Sequence, residues 1–408
     1  MIEQLLESQS ASFEFLEPLP MEVDVLIVGG GIVGSSLAYF LGQRGVESLV
    51  LERGEINREA SGTNAGSFHF QIALHQLTSS DPKDDMDRLL TEVRLHTEAA
   101  DLWKSLEGDL KVDLGVHETG GLMVAETDEE FRLLHSKQKI EAAAGLETHV
   151  LSGKELKEFA PYLASDIKGA SFCPREGHAD PLLAVPLILM RAQELGAQVR
   201  TQAAVTSIER VDGKDGVRFI VQTSRGVVQA RRLVNAAGAW ANDISMLLGH
   251  SLPIHAEGLH VNVTEPREPI LTPMLQHIGR RLTLKQTSKG TFIIGGGWPA
   301  RPELQPQRYS NYWASAAGNA AVALRVMPML QDVRLVRTWS GVMAFMNDLS
   351  PIVGESQSLP GYHVCIATTG FTLGPMMAQL LAESMVADKD FHIPQSYAVD
   401  RGLPLMTR

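Results

Sequence analysis

Cysteine is nearly absent: 408 residues contain only Cys173 and Cys365. With no CxxC, the chain cannot by itself bring four thiolates to a zinc ion or an iron–sulfur cluster. So few thiols in a chain this long point to a reducing compartment, and a cytoplasmic location is expected. Long apolar runs are missing too, since no window approaches the ~18 residues of a transmembrane helix. The first 20 residues hold acidic side chains and no basic one, the opposite of a secretory signal. They read as an N-terminal arm outside the fold, free to reach a partner. Positive charge is also short. Lys and Arg number 36 against 48 Asp and Glu, a net charge of −12, whereas a nucleic-acid partner would call for a basic surplus.

What remains is ordinary for a packed globular protein, with 44% hydrophobic and 21% charged residues. The length suggests two or three domains. The first periodic element is the apolar run Val23–Val28, the pattern of a buried parallel strand. It leads through Gly29-Gly30-Gly31-Ile32-Val33-Gly34 into a helical stretch stopped by Gly45, and then into the strand Ser48–Glu52. This is a βαβ unit of the size a right-handed crossover needs. Within it, Gly29 permits the tight turn, Gly31 lets a pyrophosphate approach the backbone, and Gly34 lets helix and strand pack closely. Unpaired N–H groups at the helix start would face the phosphates. Glu52 is positioned to accept hydrogen bonds from a ribose, which disfavours a 2′-phosphate. The unit alone does not separate NAD from FAD.

Beyond it, 89–107 and 129–144 carry helical spacing, with a short strand at 120–125 between them. A helix follows from Asp180-Pro181 to Leu195. Strands are expected at 197–208, 217–221, 255–265, 281–295 and 362–367, and helices at 310–326 and 375–387.

Four segments, in order, resemble the FAD-dependent D-amino acid oxidase superfamily, most closely its glycine oxidase and sarcosine oxidase-β branch. The likeness extends to the β chains of heteromeric opine, proline or hydroxyproline dehydrogenases. The segments are the fingerprint Val28–Gly34 closed by Glu52 and Arg53; Ala60-Ser61-Gly62-Thr63-Asn64-Ala65-Gly66; Val234-Asn235-Ala236-Ala237-Gly238-Ala239-Trp240; and Thr369-Gly370-Phe371-Thr372-Leu373-Gly374-Pro375. The resemblance implies FAD as cofactor, with Val205 beside the adenine and the last segment beneath the flavin pyrimidine. It implies an α/β fold: a discontinuous Rossmann-type FAD-binding domain (21–95, 172–253, 333–400) interleaved with an α+β substrate domain on an antiparallel sheet (96–171, 254–332).

The implied reaction is oxidation of an amine or amino acid, with hydride passing from the α-carbon to flavin N5 and leaving an imine. A dehydrogenase subunit of a hetero-oligomer is expected, its partners carrying an iron–sulfur or FMN relay. A stand-alone oxidase producing hydrogen peroxide, or a catalytically silent FAD-binding subunit, is the alternative. Relatives hold the substrate carboxylate with an arginine two residues beyond a glycine of the Trp339-Ser340-Gly341 stretch; here Met343 takes that place. An unpaired carboxylate in an apolar pocket costs several kcal/mol, so either another cation takes over or the substrate presents something other than a simple α-carboxylate there. Strand alternation would put Arg281, Thr283 and Lys285 on one face. Lys285 is the expected cation, with Arg281 second. His69, just past the second segment, is expected above the flavin ring, where it could tune the ring or the substrate amine.

Overall fold

The computed structural model describes residues 17–77, 84–213, 216–305, 307–346, 348, 350–387 and 393–401. Of the expected N-terminal arm, residues 1–16 lie outside the described residues. Residues 17–20 rest on the fold, where Glu17 and the Pro18 carbonyl engage the Arg200 guanidinium.

Two eight-stranded sheets organise the chain. The centre of the first is a parallel ladder in the order Tyr362–Ile366, Gly226–Asn235, Glu22–Val28, Ser48–Leu51, Gln198–Arg200. Val25, Leu26 and Ile27 are fully buried, as a strand covered on both faces requires. The helix Ile32–Gln43 is buried nearly all round. It packs against Pro181–Glu194 and Gly370–Val386, which explains its lack of a polar face.

The second sheet runs Leu335–Met346, Ile254–Pro266, Thr291–Gly295, Thr283–Gln286, Met274–His277, Gly121–Ala125, Gly169–Cys173, His149–Ser152. It is antiparallel except where Met274–His277 lies parallel to Gly121–Ala125.

Several expectations are corrected here. The stretch 197–208 is two strands broken at Gln202, which has φ +52°, because the chain turns from the parallel ladder into an antiparallel hairpin. Residues 281–295 are a hairpin whose first strand begins only at Thr283. The last helix starts at Gly370 and carries Pro375 inside it. Two elements run across or beside the expected domain boundaries at 95 and 333. Asp84–Leu110 is one continuous helix, and Leu335–Met346 pairs along its length with Ile254–Pro266 in the second sheet. Among the described residues, no helix is long and apolar enough to cross a membrane.

Candidate active site

A cavity of about 980 Å³ lies where the two sheets meet. Its walls are built by the four glycine-rich segments. Ala236 N donates to Val28 O, bringing the third segment onto the turn at Gly29. The approach is so close that a β-carbon on Gly29, at φ +115°, would lie 2.5 Å from the Ala236 carbonyl oxygen. A β-carbon on Gly34 would meet Gly29 O at 2.0 Å. Only glycine fits either position.

The segment Ala60–Gly66 is a short helix and turn, with Asn64 Nδ2 donating to Ser61 O at 2.6 Å and Gly66 N donating to Asn64 Oδ1 at 2.6 Å. Ser61 Oγ accepts from Ile32 N at 2.9 Å. The amides of Val33 and Gly34 make no hydrogen bond among the described residues, so this helix start offers unpaired donors to a phosphate. Glu52 accepts from Gly30 N (2.9 Å) and Gly54 N (2.8 Å), fixing the loop while still lining the cavity. Arg53 stacks 3.7 Å over the Trp240 ring and pairs with Glu59.

The start of the helix Gly370–Val386 forms the opposite wall. Trp103 Nε1 donates to Thr372 O at 2.9 Å, and Phe68, Trp103 and Phe371 pack as one aromatic cluster with centroids 4.8 to 6.0 Å apart. Thr369 supplies no side-chain cap, which leaves the positive end of this helix open to the cavity.

These walls bear on FAD directly: the close packing at Gly29 holds the third segment against the first turn, and two helix starts whose N-cap residues give no side-chain cap lie at the long cavity between them. The residues fit the cofactor.

Gly29, Gly31, Ile32, Val33, Glu52, Arg53, Ser61, Asn64, Ala65, Val205, Ala236, Ala237, Gly238, Trp240 and Gly370–Leu373 all line the cavity, as do His69, Arg281 and Met343. Gly34, Gly66 and Gly374 do not reach it, acting behind the wall where elements touch. Lys285 does not reach it either, and this corrects the expected cation. Its Nζ lies against Gly66. Burial pushes its ammonium down to about 7, with Asp180 opposing, so it is a poor carrier of permanent charge.

Arg281 takes the other course. It precedes the strand at the cavity rim, donates only to Gly297 O (3.0 Å), and forms no ion pair among the described residues. The two other cavity arginines, Arg53 and Arg280, are paired with Glu59 and Glu126. Trp298 and Trp339 do not line the cavity; they donate to the carbonyls of Arg281 and Thr63. Met343 contributes, with Leu259, Val261 and Phe345, an apolar side.

Sequence reasoning missed Gln276, which lines the cavity beside His69, and the fully buried Glu176 behind it. Burial lowers His69 despite the opposing Glu176 and Gln276, and burial pushes the neighbouring His96 to about 4. Burial favours the neutral form of both imidazoles. Among the described residues, no cluster of three His, Cys, Asp or Glu could hold a metal ion.

Comparison with known proteins fits this geometry. The family model described as DAO, FAD dependent oxidoreductase, matches residues 24–384. One of the subunits of opine oxidase from Rhizobium meliloti is 28% identical over 379 residues, covering 90% of this chain and 94% of its own length. Mouse mitochondrial sarcosine dehydrogenase is 28% identical over 403 residues, covering 94% of this chain; the chain spans 42% of that longer protein. In structure, the chain matches L-proline dehydrogenase from P. horikoshii with a TM-score of 0.81 and 24% identity, covering 93% and 97% of the two chains. Glycine oxidase from Geobacillus kaustophilus matches with a TM-score of 0.80 and 22% identity, covering 94% and 100%.

Proposed function

Because the chain belongs to the DAO family of FAD-dependent oxidoreductases, we propose that it oxidises an amino acid or related amine to an imine, as the β-type dehydrogenase subunit of a hetero-oligomer. The observation that carries this reading is the continuity of the cavity. The cradle for the dinucleotide runs without a wall into a chamber edged by His69, Gln276, Thr283 and the unpaired Arg281.

Bound FAD supplies the acceptor for the hydride leaving the substrate α-carbon. The chain supplies binding and orientation. Gly29, Gly31, Ser61, the amide of Val33, and Glu52 hold the dinucleotide; Ala65, Gly238 and the helix start Gly370–Leu373 hold the ring end. Arg281 takes the place of the arginine missing at Met343 and receives the carboxylate, because it is the cavity guanidinium free of a carboxylate partner among the described residues. Met343, Leu259 and Val261 keep water from the reacting carbon. The hetero-oligomer is supported by likeness over 94% of the length of an opine oxidase subunit. Its electron relay, iron–sulfur or FMN, would lie on a partner chain.

The test is anaerobic flavin bleaching across a panel of primary and secondary amino acids. At least one should reduce the flavin of the native protein. In Arg281→Met the half-saturating concentration should rise about 10- to 100-fold, the worth of a hydrogen bond to a charged group, with FAD content unchanged. No bleaching by any member would sink the amine reading; an unchanged half-saturation would remove Arg281 from the carboxylate site.

A further inference from the structure

Behind His69 lies a chain of buried polar groups whose donors and acceptors leave one arrangement. Glu176 is fully buried. Its Oε1 accepts from Phe70 N (2.8 Å) and Gln71 N (2.9 Å), and its Oε2 from Gln71 Nε2 (2.8 Å) and Gln276 Nε2 (2.8 Å). All four partners are N–H donors, which is what an ionised carboxylate needs; a protonated oxygen would have nothing to donate to. Gln276 must therefore turn its NH2 toward Glu176, leaving Oε1 for His69 Nδ1 at 3.0 Å. An amide oxygen only accepts. His69 therefore carries its proton on Nδ1, and the Nε2 lone pair is free.

That nitrogen makes no hydrogen bond among the described residues, and His69 lines the cavity. On its other side the network is closed. Gln71 Oε1 accepts from Lys137 Nζ (2.8 Å), which pairs with Glu141 at 2.7 Å, all of them buried. His69 itself is tied by its backbone N–H to Thr372 Oγ1 at the start of the helix Gly370–Val386 (3.4 Å).

We propose that Glu176 and Gln276 are positioning residues that lock His69 as the Nδ1–H tautomer, so that Nε2 takes the proton from the substrate ammonium. The inference rests on the amine-oxidising reading above. The substrate ammonium loses one N–H proton to Nε2, giving a neutral amine and an imidazolium. The neutral amine keeps the nitrogen lone pair, which becomes the C=N bond as hydride leaves the α-carbon for FAD. The imidazolium returns its proton to solvent when the product departs. The charge of Glu176, relayed through the Gln276 amide, stabilises the imidazolium. Burial and Lys285 oppose the charging of this imidazole, while Glu176 and the Gln276 hydrogen bond favour it.

The experiment uses the FAD-loaded protein and two readouts. In 15N-histidine-labelled protein, the resonances assigned by their loss in His69→Phe should show Nδ1 as the protonated nitrogen, and the shape-conserving Gln276→Met should lose that fixed tautomer. In rapid anaerobic mixing with a reducing amine, the native flavin-reduction rate should rise with pH through one ionisation. Gln276→Met should slow it about 10- to 100-fold and displace that ionisation, consistent with loss of one supporting partner. The Gln276→Met/His69→Phe double variant should be no slower than His69→Phe alone. A proton on Nε2, a native pH profile in Gln276→Met, or additive losses in the double variant would each overturn the proposal. If no amine bleaches the native flavin, the function itself fails, and the tautomer spectrum still reports the lock on its own.

Discussion

Lys285 is surrounded by protein on all sides, and the lost hydration outweighs the nearby carboxylate of Asp180. Its folded-state value of about 7 lies below the value near 10.4 of an unfolded lysine, so the unfolded chain binds more protons between those limits. Stability contributed by this group is thus lowest below pH 7 and rises toward pH 10. Lys285→Met should remove that slope, raising stability at pH 6 by roughly 2–4 kcal/mol and changing it little at pH 10. Urea midpoints at the two pH values check this, and parallel pH curves for native and variant protein would show that the lysine stays charged. The dinucleotide cradle is legible in the sequence because it is written in glycines, Gly29 and Gly34 among them required by a close backbone approach. The cation is not. Period-two alternation groups Arg281 with Lys285 only if both lie in one strand, and Arg281 precedes the strand. Glu176 and Gln276 stand 100 positions apart, so nothing local in the sequence joins them.

At the level of the element, the helix Gly370–Val386 illustrates what a propensity rule misses. Proline favours a helix's first turn, so Pro375 suggests a start there. The helix begins five residues earlier because Thr369 and Gly370 emerge directly from the strand Tyr362–Ile366. Its first turn thereby reaches the cavity, and its flank crosses Ile32–Gln43 at Gly374. A β-carbon on Gly374 would stand 3.0 Å from Ile32 Cγ2 and 3.2 Å from Val33 Cγ2. The added methyls of Gly374→Val should force the two helix starts apart and lower FAD occupancy, read as the ratio of visible to ultraviolet absorbance. A fully yellow Gly374→Val protein would show that the crossing has slack.

At the scale of the whole molecule, the proposed dehydrogenase role makes a prediction about oxygen. The isolated chain with its best substrate should reduce an artificial dye much faster than it makes hydrogen peroxide. Peroxide formed in step with substrate would identify a stand-alone oxidase. The general architecture, a parallel dinucleotide sheet beside a largely antiparallel one, is readable from the order of the glycine-rich segments and their strands. The sheet boundaries are not, since pairings such as His260 with Ser340 depend on contacts far apart in the chain.

The cavity wall draws on Val28–Val33 near one end of the sequence and Ile366–Leu373 near the other. During synthesis these stretches emerge far apart in time. The pocket cannot close around its ligand until the later stretch has left the ribosome and its strand has paired with Gly226–Asn235. Cofactor capture is therefore a late event, and every molecule passes through an apoprotein stage. In that interval the polar network at Glu176 and the Lys285 burial must be sustained without a ligand. Because a ligand that binds only the folded state stabilises it by mass action, the supply of FAD in the cell would set how much of the newly made chain survives.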